Sequence, residues 1–405
     1  MKRNCTLWAW GILLLIAILL CAVNFMQKDR TTYTVIVSLD GFRWDYTEKY
    51  QAPHISQIAE EGAWTDMRPS YPASTFPNHY AIATGLVPDH HGIVNNSFWD
   101  PESQKMFSTG NSETASDGRY FLGEPIWLTA QRQGLHTSVV YWVGSDVAVQ
   151  GKYPDSYKSY REPPLLDYYA RIDTAMAHLK KEEKERPRLV MIYFDEPDHQ
   201  GHLHGPDSPQ VAEAVERVDS VIGYLRDEIK KLDISRKVNL IVLADHGMTG
   251  ISDERYVKPS DYIKPEWYEH IVTGTPTSIY SKPEYRDSIL VALQQAPHVK
   301  FWKKEEIPAE LQYGSSPRIG DILVAPDLGW QFTEEPRHQN GAHGYDNHEV
   351  EMQALFRAVG PSFKKGFHAE PFQNVDVYTL LAHLLGIEPA PSDGQFERIK
   401  QILRD

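Results

Sequence analysis

Cysteine is nearly absent: the 405 residues hold two, Cys5 and Cys21. The body of the chain therefore has no disulfide framework, no thiol nucleophile and no thiolate metal ligand. That absence leaves the compartment open, because a domain of this size can be stable without crosslinks. Positive charge is also in the minority, with 41 Lys and Arg against 55 Asp and Glu and a formal net charge of -14. A nonspecific nucleic-acid binder would carry a basic stripe, so no stable nucleic-acid partner is expected. Phosphate substrates remain open, because bound cations reverse a local field. Internal repeats and low-complexity tracts are missing too. With 24% charged and 41% hydrophobic residues, the chain has the composition of a folded protein.

One uncharged apolar run, residues 7–25 (LWAWGILLLIAILLCAVNF), is about as long as a single membrane-spanning helix must be. Lys2 and Arg3 precede it and Lys28 and Arg30 follow, so charge gives little guidance on orientation. Cys21-Ala22-Val23-Asn24 makes a poor cleavage site, and Leu20 stands where a lipid-modified Cys21 would need a small neighbour. Residues 1–30 are therefore expected to be a cytoplasmic stub and an uncleaved anchor. Residues 31–405 are expected to form a catalytic domain outside the cytoplasm, at the cell surface or in the periplasm.

Within the body, aliphatic and β-branched runs predict buried strands at 33–39, 135–143, 189–194, 238–244, 319–325 and 354–359. Helical spacing falls between them, at 53–61, 124–133, 167–186, 211–232 and 374–385. The charged tail KKEEKER of the third of these reads as a solvated helix face. Val211, Val215, Val218, Ile222, Leu225, Ile229 and Leu232 repeat at alternating four and three, as a crossover helix facing a core would. Residues 97–119 read as a polar surface excursion, and about 251–320 as a smaller α/β insertion. Strands alternating with helices imply an α/β fold with a mostly parallel central sheet covered on both faces. In such sheets ligands sit beyond the carboxyl ends of the strands.

Acids and histidines fall at those ends. Asp40 follows the first strand, Asp198 the third, and Asp245-His246 the fourth. Mixed carboxylates and imidazoles suit a divalent metal such as zinc. His202 lies one turn beyond Asp198, on the same face if a helix begins after Pro197. His343 sits in Gly341-Ala342-His343-Gly344, ahead of the 354–359 strand. Thr75, with Pro77 just after it, opens a helical pattern that stops at Gly85, placing a hydroxyl at the positive end of a helix dipole. Alone it reads as a helix cap; the acids and imidazoles elsewhere raise it to a candidate nucleophile. His54, His90, His91, His199, His204 and His348 lack such context and read as structural.

Five segments in order, SLDGFRWDY, STFPNHYAIATGLVPDHHGIVNNSF, YFDEPDHQGHLHGP, LADHGM and GAHGYDN, resemble the nucleotide pyrophosphatase/phosphodiesterase family of the alkaline phosphatase superfamily, over about residues 33–387. The resemblance implies an alkaline phosphatase-like fold, two zinc ions and a threonine nucleophile. By motif position, one zinc would take Asp198, His202 and His343, and the other Asp40, Thr75, Asp245 and His246. The Asn96 side chain and the Phe76 backbone N–H would hold a non-bridging phosphoryl oxygen. Phe76 and Tyr193 would clamp a nucleobase, and Asp195 stands where many members have Glu.

The implied reaction splits a nucleotide pyrophosphate or phosphodiester bond and releases a nucleoside 5'-monophosphate through a covalent Thr75 intermediate. A choline-type lipid headgroup diester is the alternative substrate, and a membrane-anchored binding protein without turnover the alternative class. Asn96 at the phosphoryl group, with Arg43 the one Arg in the motifs, favours a diester over a monoester. A free Thr hydroxyl is too weak an acid to attack phosphorus unaided, so a divalent cation must activate it. Activity is then expected to fall in acid as His202, His246 and His343 protonate.

Overall fold

The Tyr33–Leu39 strand (YTVIVSL) is buried at every position, and a run without polar alternation needs cover on both faces. The computed structural model describes residues 31–404 and supplies that cover. Tyr33–Leu39 lies at the middle of a large sheet, parallel to Leu189–Phe194 on one side and to Val238–Leu243 on the other. Thr137–Val140 and then Ser156–Lys158 extend the parallel array beyond Leu189–Phe194. On the far side Ala354–Val359 runs antiparallel to Val238–Leu243 and to Ala63–Arg68. The mostly parallel α/β sheet expected from the sequence is thus present, with this one long strand reversed.

Two sets of helices sandwich the sheet. Pro53–Glu61, Tyr168–Leu179 and Pro209–Lys230 pack together on one face, while Thr75–Thr84, Ile126–Arg132 and Asp376–Leu385 pack together on the other. Pro209–Lys230 starts where Ser208 Oγ accepts the Val211 N–H and Pro209 occupies the first turn, where its missing N–H is not needed. Val211, Val215, Val218, Ile222 and Leu225 are all fully buried, each contributing about 1.5–3 kcal/mol. The helix spends its stripe on the sheet and on Pro53–Glu61, as a crossover helix should.

Two local expectations change. The third helix ends at Leu179, and the charged tail beyond it folds into a turn that the Arg186 side chain closes by donating to the Lys181 carbonyl. KKEEKER has no apolar residue to lay on the sheet, and helices of this length draw most of their stability from such packing. The stretch expected to be a polar excursion contains a hairpin, Ser97–Asp100 with Lys105–Ser108, whose Phe98 and Phe107 are buried and stacked at 4.6 Å.

A second, antiparallel sheet orders Tyr268–Val272, Thr277–Ser281, Ile322–Pro326 and Val299–Lys303, and its core includes Ile279, Ile289, Leu293, Ile322 and Val324. Two polar groups, buried Arg318 and half-buried Asp89, fasten this unit to the loops after Thr75–Thr84. The Arg318 guanidinium donates to the Gly92, Tyr120 and Arg119 carbonyls at 2.8–3.0 Å. Asp89 accepts three successive N–H groups, those of Gly314, Ser315 and Ser316. The residues 7–25 expected to anchor the chain lie outside the described residues. Among those described, no helix is long and apolar enough to cross a membrane.

Candidate active site

Parallel register brings the strand ends level, since Leu39 pairs with Phe194 and Ser38 with Leu243. Asp40, Asp245 and His246 therefore emerge side by side at the carboxyl edge. Asp198 opens the Asp198–His204 helix and its N–H donates to the Asp40 carbonyl at 3.0 Å, which ties two strand exits together. Gly41 sits at φ +64°, and a Cβ there would meet Asp198 Cβ at 2.9 Å; only glycine permits both the turn and the approach. His343 arrives from the other direction, on the loop after Gly341–Ala342. A Cβ on Gly341 would lie 2.2 Å from the Gly201 carbonyl, so this loop presses directly on the helix that carries His202.

The seven expected metal positions fall into two adjoining groups. Asp198, His202 and His343 form one, with Nε2 atoms of the two histidines 3.1 Å apart and Asp198 Oδ2 3.4 Å from His202 Nε2. Asp40, Asp245 and His246 form the other, with His246 Nε2 3.0 Å from Asp245 Oδ2 and 3.5 Å from Asp40 Oδ1. Thr75 Oγ1 enters this second group, 3.1 Å from His246 Nε2 and 3.5 Å from Asp40 Oδ1. The hydroxyl of Thr75 thus caps nothing; Ser74 holds the N-cap position, and Thr75 is the first residue of its helix. The groups adjoin through His246 and His343, whose rings stack with centroids 3.8 Å apart.

Whether these donors suit divalent cations is answered by their proton positions. His202 Nδ1 faces the Gly341 carbonyl at 2.9 Å, His343 Nδ1 the Ala73 carbonyl at 3.0 Å, and His246 Nδ1 the Gly247 carbonyl at 2.8 Å. A carbonyl only accepts, so each Nδ1 carries the proton and each Nε2 turns a lone pair inward, the arrangement seen at histidine metal ligands. Lone pairs then face lone pairs between His202 and His343, and between His246 and Asp245. Asp198 Oδ1 and Asp245 Oδ2 are buried without a hydrogen-bond partner. Such a constellation is repulsive by itself and becomes attractive around a cation.

The acid–base shifts have a different origin, burial together with the charges that the carboxylates and the protonated imidazoles carry. Burial pushes the Asp40 carboxyl well above the usual carboxylate range, and the negative charges of Asp245 and Asp198 add to it. For Asp245 burial acts upward too, but His246 and His79 outweigh it and hold the group well below that range. Burial, then His246 and His202, drives His343 well below the usual imidazole value.

Around Thr75, the Phe76 N–H donates to Asn96 Oδ1 at 3.1 Å, so the two groups expected to hold a phosphoryl oxygen lie together beside the hydroxyl. Phe76 and Tyr193 both line a cavity of about 280 Å³ that opens at Thr75. Its other walls, Tyr141, Val143, Tyr160 and Leu165, were invisible as site residues in the sequence. They come from the loop after the Thr137–Val140 strand and from the stretch before the Tyr168–Leu179 helix, neither of which holds a motif, so no local signal marks them. Arg171 and Asp195 stand at the same cavity, paired at 3.2 Å. Tyr193 also does something unexpected: its hydroxyl donates to Asp40 Oδ2 at 2.7 Å. Arg43 is turned away, donating to both Asp45 oxygens and to the Met248 carbonyl. Of the histidines read as structural, His91 is fully buried with both ring nitrogens bonded, to the Pro77 carbonyl and the Ile93 N–H.

A hydroxyl at a helix start, set in one of two adjoining carboxylate–imidazole groups that could hold metal ions, at the carboxyl edge of a mostly parallel sheet, is an arrangement suited to a hydrolase. Residues 34–346 match the family described as Type I phosphodiesterase / nucleotide pyrophosphatase, and the chain belongs to that family. It is 36% identical over 392 residues to human ectonucleotide pyrophosphatase/phosphodiesterase family member 1, covering 93% of this chain and 42% of that protein. With human family member 5 it shares 33% identity over 399 residues, 96% of this chain and 83% of that one. The chain thus spans less than half the length of some relatives and most of others. Among solved structures, murine ectonucleotide pyrophosphatase/phosphodiesterase 5, in an inactive form in complex with AMP, is similar with a TM-score of 0.87 and 34% identity, over 92% of this chain and all of that one.

Proposed function

We propose that this protein is a zinc-dependent nucleotide pyrophosphatase/phosphodiesterase that releases a nucleoside 5'-monophosphate through a covalent Thr75 ester. One observation carries the reading: Thr75 Oγ1 stands within 3.5 Å of both His246 Nε2 and Asp40 Oδ1, inside a cation-binding group instead of in a cap. Two zinc ions would be held by Asp198, His202 and His343, and by Asp40, Thr75, Asp245 and His246. When bound they supply Lewis acidity, favouring the deprotonated hydroxyl and neutralising charge on the phosphoryl and leaving groups.

The chain's own residues do the rest. Thr75 Oγ, freed of its proton, attacks phosphorus in line; the new O–P bond forms as the bond to the leaving group breaks. Asn96 and the Phe76 N–H hold a non-bridging oxygen through that step. Water then attacks the same phosphorus, the Thr75 O–P bond breaks, and the monophosphate departs. Phe76 and Tyr193 would hold the base in the adjacent cavity, in keeping with AMP as the molecule bound by the murine relative. The engagement of Arg43 by Asp45 takes the one Arg of the motifs away from the extra charge of a monoester, which favours a diester.

An aromatic cavity with a carboxylate also suits a quaternary ammonium, so a choline phosphodiester is the second reading. Arg171 counts against it. Its guanidinium already lies 4.4 Å over the Tyr141 ring and pairs with Asp195, placing a positive charge where choline would need a negative one. Activity on a nucleotide p-nitrophenyl ester and on p-nitrophenylphosphocholine separates the two. The nucleotide ester should be turned over, and Thr75→Ala should abolish turnover while the protein keeps its fold and zinc. Undiminished activity in Thr75→Ala, or preference for the choline ester, refutes the assignment. Residues 7–25 would anchor the domain outside the cytoplasm. Release of the full chain from membranes by alkaline carbonate, without detergent, would overturn that.

A further inference from the structure

His79 lies in the same motif as Thr75, four residues on, yet the chemistry above does not use it. It is completely buried on the Thr75–Thr84 helix. Its Nδ1 stands 2.9 Å from the Thr75 carbonyl and 3.3 Å from Asp245 Oδ2. Nδ1 carries the proton and donates it to the Thr75 carbonyl, Asp245 Oδ2 lies beside it as an electrostatic neighbour without a hydrogen bond, and Nε2 accepts from Ser38 Oγ at 2.8 Å. Ser38 is two residues ahead of Asp40 on the central strand. The ring is fixed from the sides by edge-on contacts with Trp142 at 5.3 Å and Tyr193 at 5.0 Å. Trp142 Nε1 donates to the His79 carbonyl, and Tyr193, as noted, donates to Asp40.

The Thr75 carbonyl is backbone one turn back on the same helix, within reach of any buried histidine at this position, but the other contacts come from distant segments. His79 touches three separate parts of the site: the backbone of the nucleophile, a carboxylate of the second cation group, and the strand that delivers the other carboxylate. The distance from Thr75 Oγ1 to that group is therefore set partly through one imidazole. We propose that His79 is a positioning residue that holds Thr75 and Asp245 in a single frame and so raises zinc affinity and the rate of the covalent step without touching substrate. The inference rests on the two-zinc reading of the site. Partners of this kind, one bond removed from the ligand, typically change metal affinity by about 10- to 100-fold.

The test uses zinc-loaded protein carrying His79→Gln or Ser38→Ala. Zinc retention is measured against a competing chelator, kcat and KM on a nucleotide p-nitrophenyl ester, and the melting midpoint on metal-stripped protein. His79→Gln should lose about 10- to 100-fold in zinc affinity, with kcat falling and KM nearly unchanged, because the cavity that takes the base is intact. Ser38→Ala, which releases the other end of the ring, should shift both quantities in the same direction. A merely structural histidine would instead lower the metal-free melting midpoint while zinc affinity stayed at the wild-type value, and that result overturns the proposal. If His79→Gln does not fold, wild-type zinc affinity and kcat in Ser38→Ala overturn it equally. Wild-type protein that retains no zinc overturns the site reading and this inference together; wild type that retains zinc no better than both variants overturns this inference alone.

Discussion

Tyr193 gives the sharpest separation of two roles within one side chain. Its ring lines the cavity beside Phe76, and its hydroxyl donates to Asp40 Oδ2 at 2.7 Å. Tyr193→Phe removes the second role and keeps the first. A hydrogen bond to a charged group contributes about 1.5–3 kcal/mol. Asp40 depends on it more than most carboxylates, because burial and the charges of Asp245 and Asp198 already disfavour its ionised form. Expressed as metal affinity, the loss is about 10- to 100-fold, which is what removal of a ligand's outer partner commonly costs. Zinc competition and steady-state kinetics on a nucleotide ester measure it: affinity and kcat should fall in Tyr193→Phe while KM holds. Tyr193→Ala should show the same loss and a raised KM, since the ring is gone. Wild-type zinc affinity in Tyr193→Phe would refute the role of the hydroxyl, and equal KM values in the two variants would refute the role of the ring.

Two further expectations concern stability. Arg318 is buried between the second sheet and the main body, bonded to three carbonyls and 3.4 Å from buried Asp100. Arg318→Ala should lower the unfolding free energy in urea by about 3–5 kcal/mol, the usual cost of breaking a buried pair from one side. Arg318→Lys should recover little of it, because a single ammonium cannot match the planar fork; a loss below about 1 kcal/mol in Arg318→Ala would contradict the geometry. Burial lowers His91 to about 3. The unfolded chain takes up that proton near pH 6.5 and the folded chain does not, so the stability contributed by neutral His91 is complete above that pH and is lost progressively below it. Between pH 7.5 and 5.5 the wild type should lose about 1.4 kcal/mol more than His91→Gln by urea titration. Parallel pH profiles would show that His91 charges in the folded state.

Much of this protein is legible in its sequence, for identifiable reasons. Strands buried on both faces are dominated by apolar and β-branched residues, so Tyr33–Leu39, Leu189–Phe194 and Ala354–Val359 could be bounded to the residue despite Thr34, Ser38 and Arg357. Pro and Gly bracket the Pro53–Glu61 helix, and Gly85 in a left-handed turn closes Thr75–Thr84. Asp40, Asp198 and the Asp245-His246 pair stood out because parallel topology sends strand ends to a common edge, while the full set of seven candidate metal positions, with Thr75, His202 and His343, followed from the family resemblance.

What the sequence by itself determined, then, was the family, the sheet, and which side chains could meet. Only the tertiary structure decided how they meet and what stands behind them. The KKEEKER tail has helical propensity but nothing to pack on, and the strands that carry Phe98 and Phe107 are each too short for their alternation to stand out. The proton positions of His202, His246 and His343 depend on carbonyls that other segments supply. Tyr141, Tyr160 and Arg171 become neighbours of Thr75 only when two loops and the Tyr168–Leu179 helix converge. Local sequence records propensity and chain order; a cavity wall or an outer hydrogen bond is a relation between distant segments, and it exists only once folding has fixed the distances.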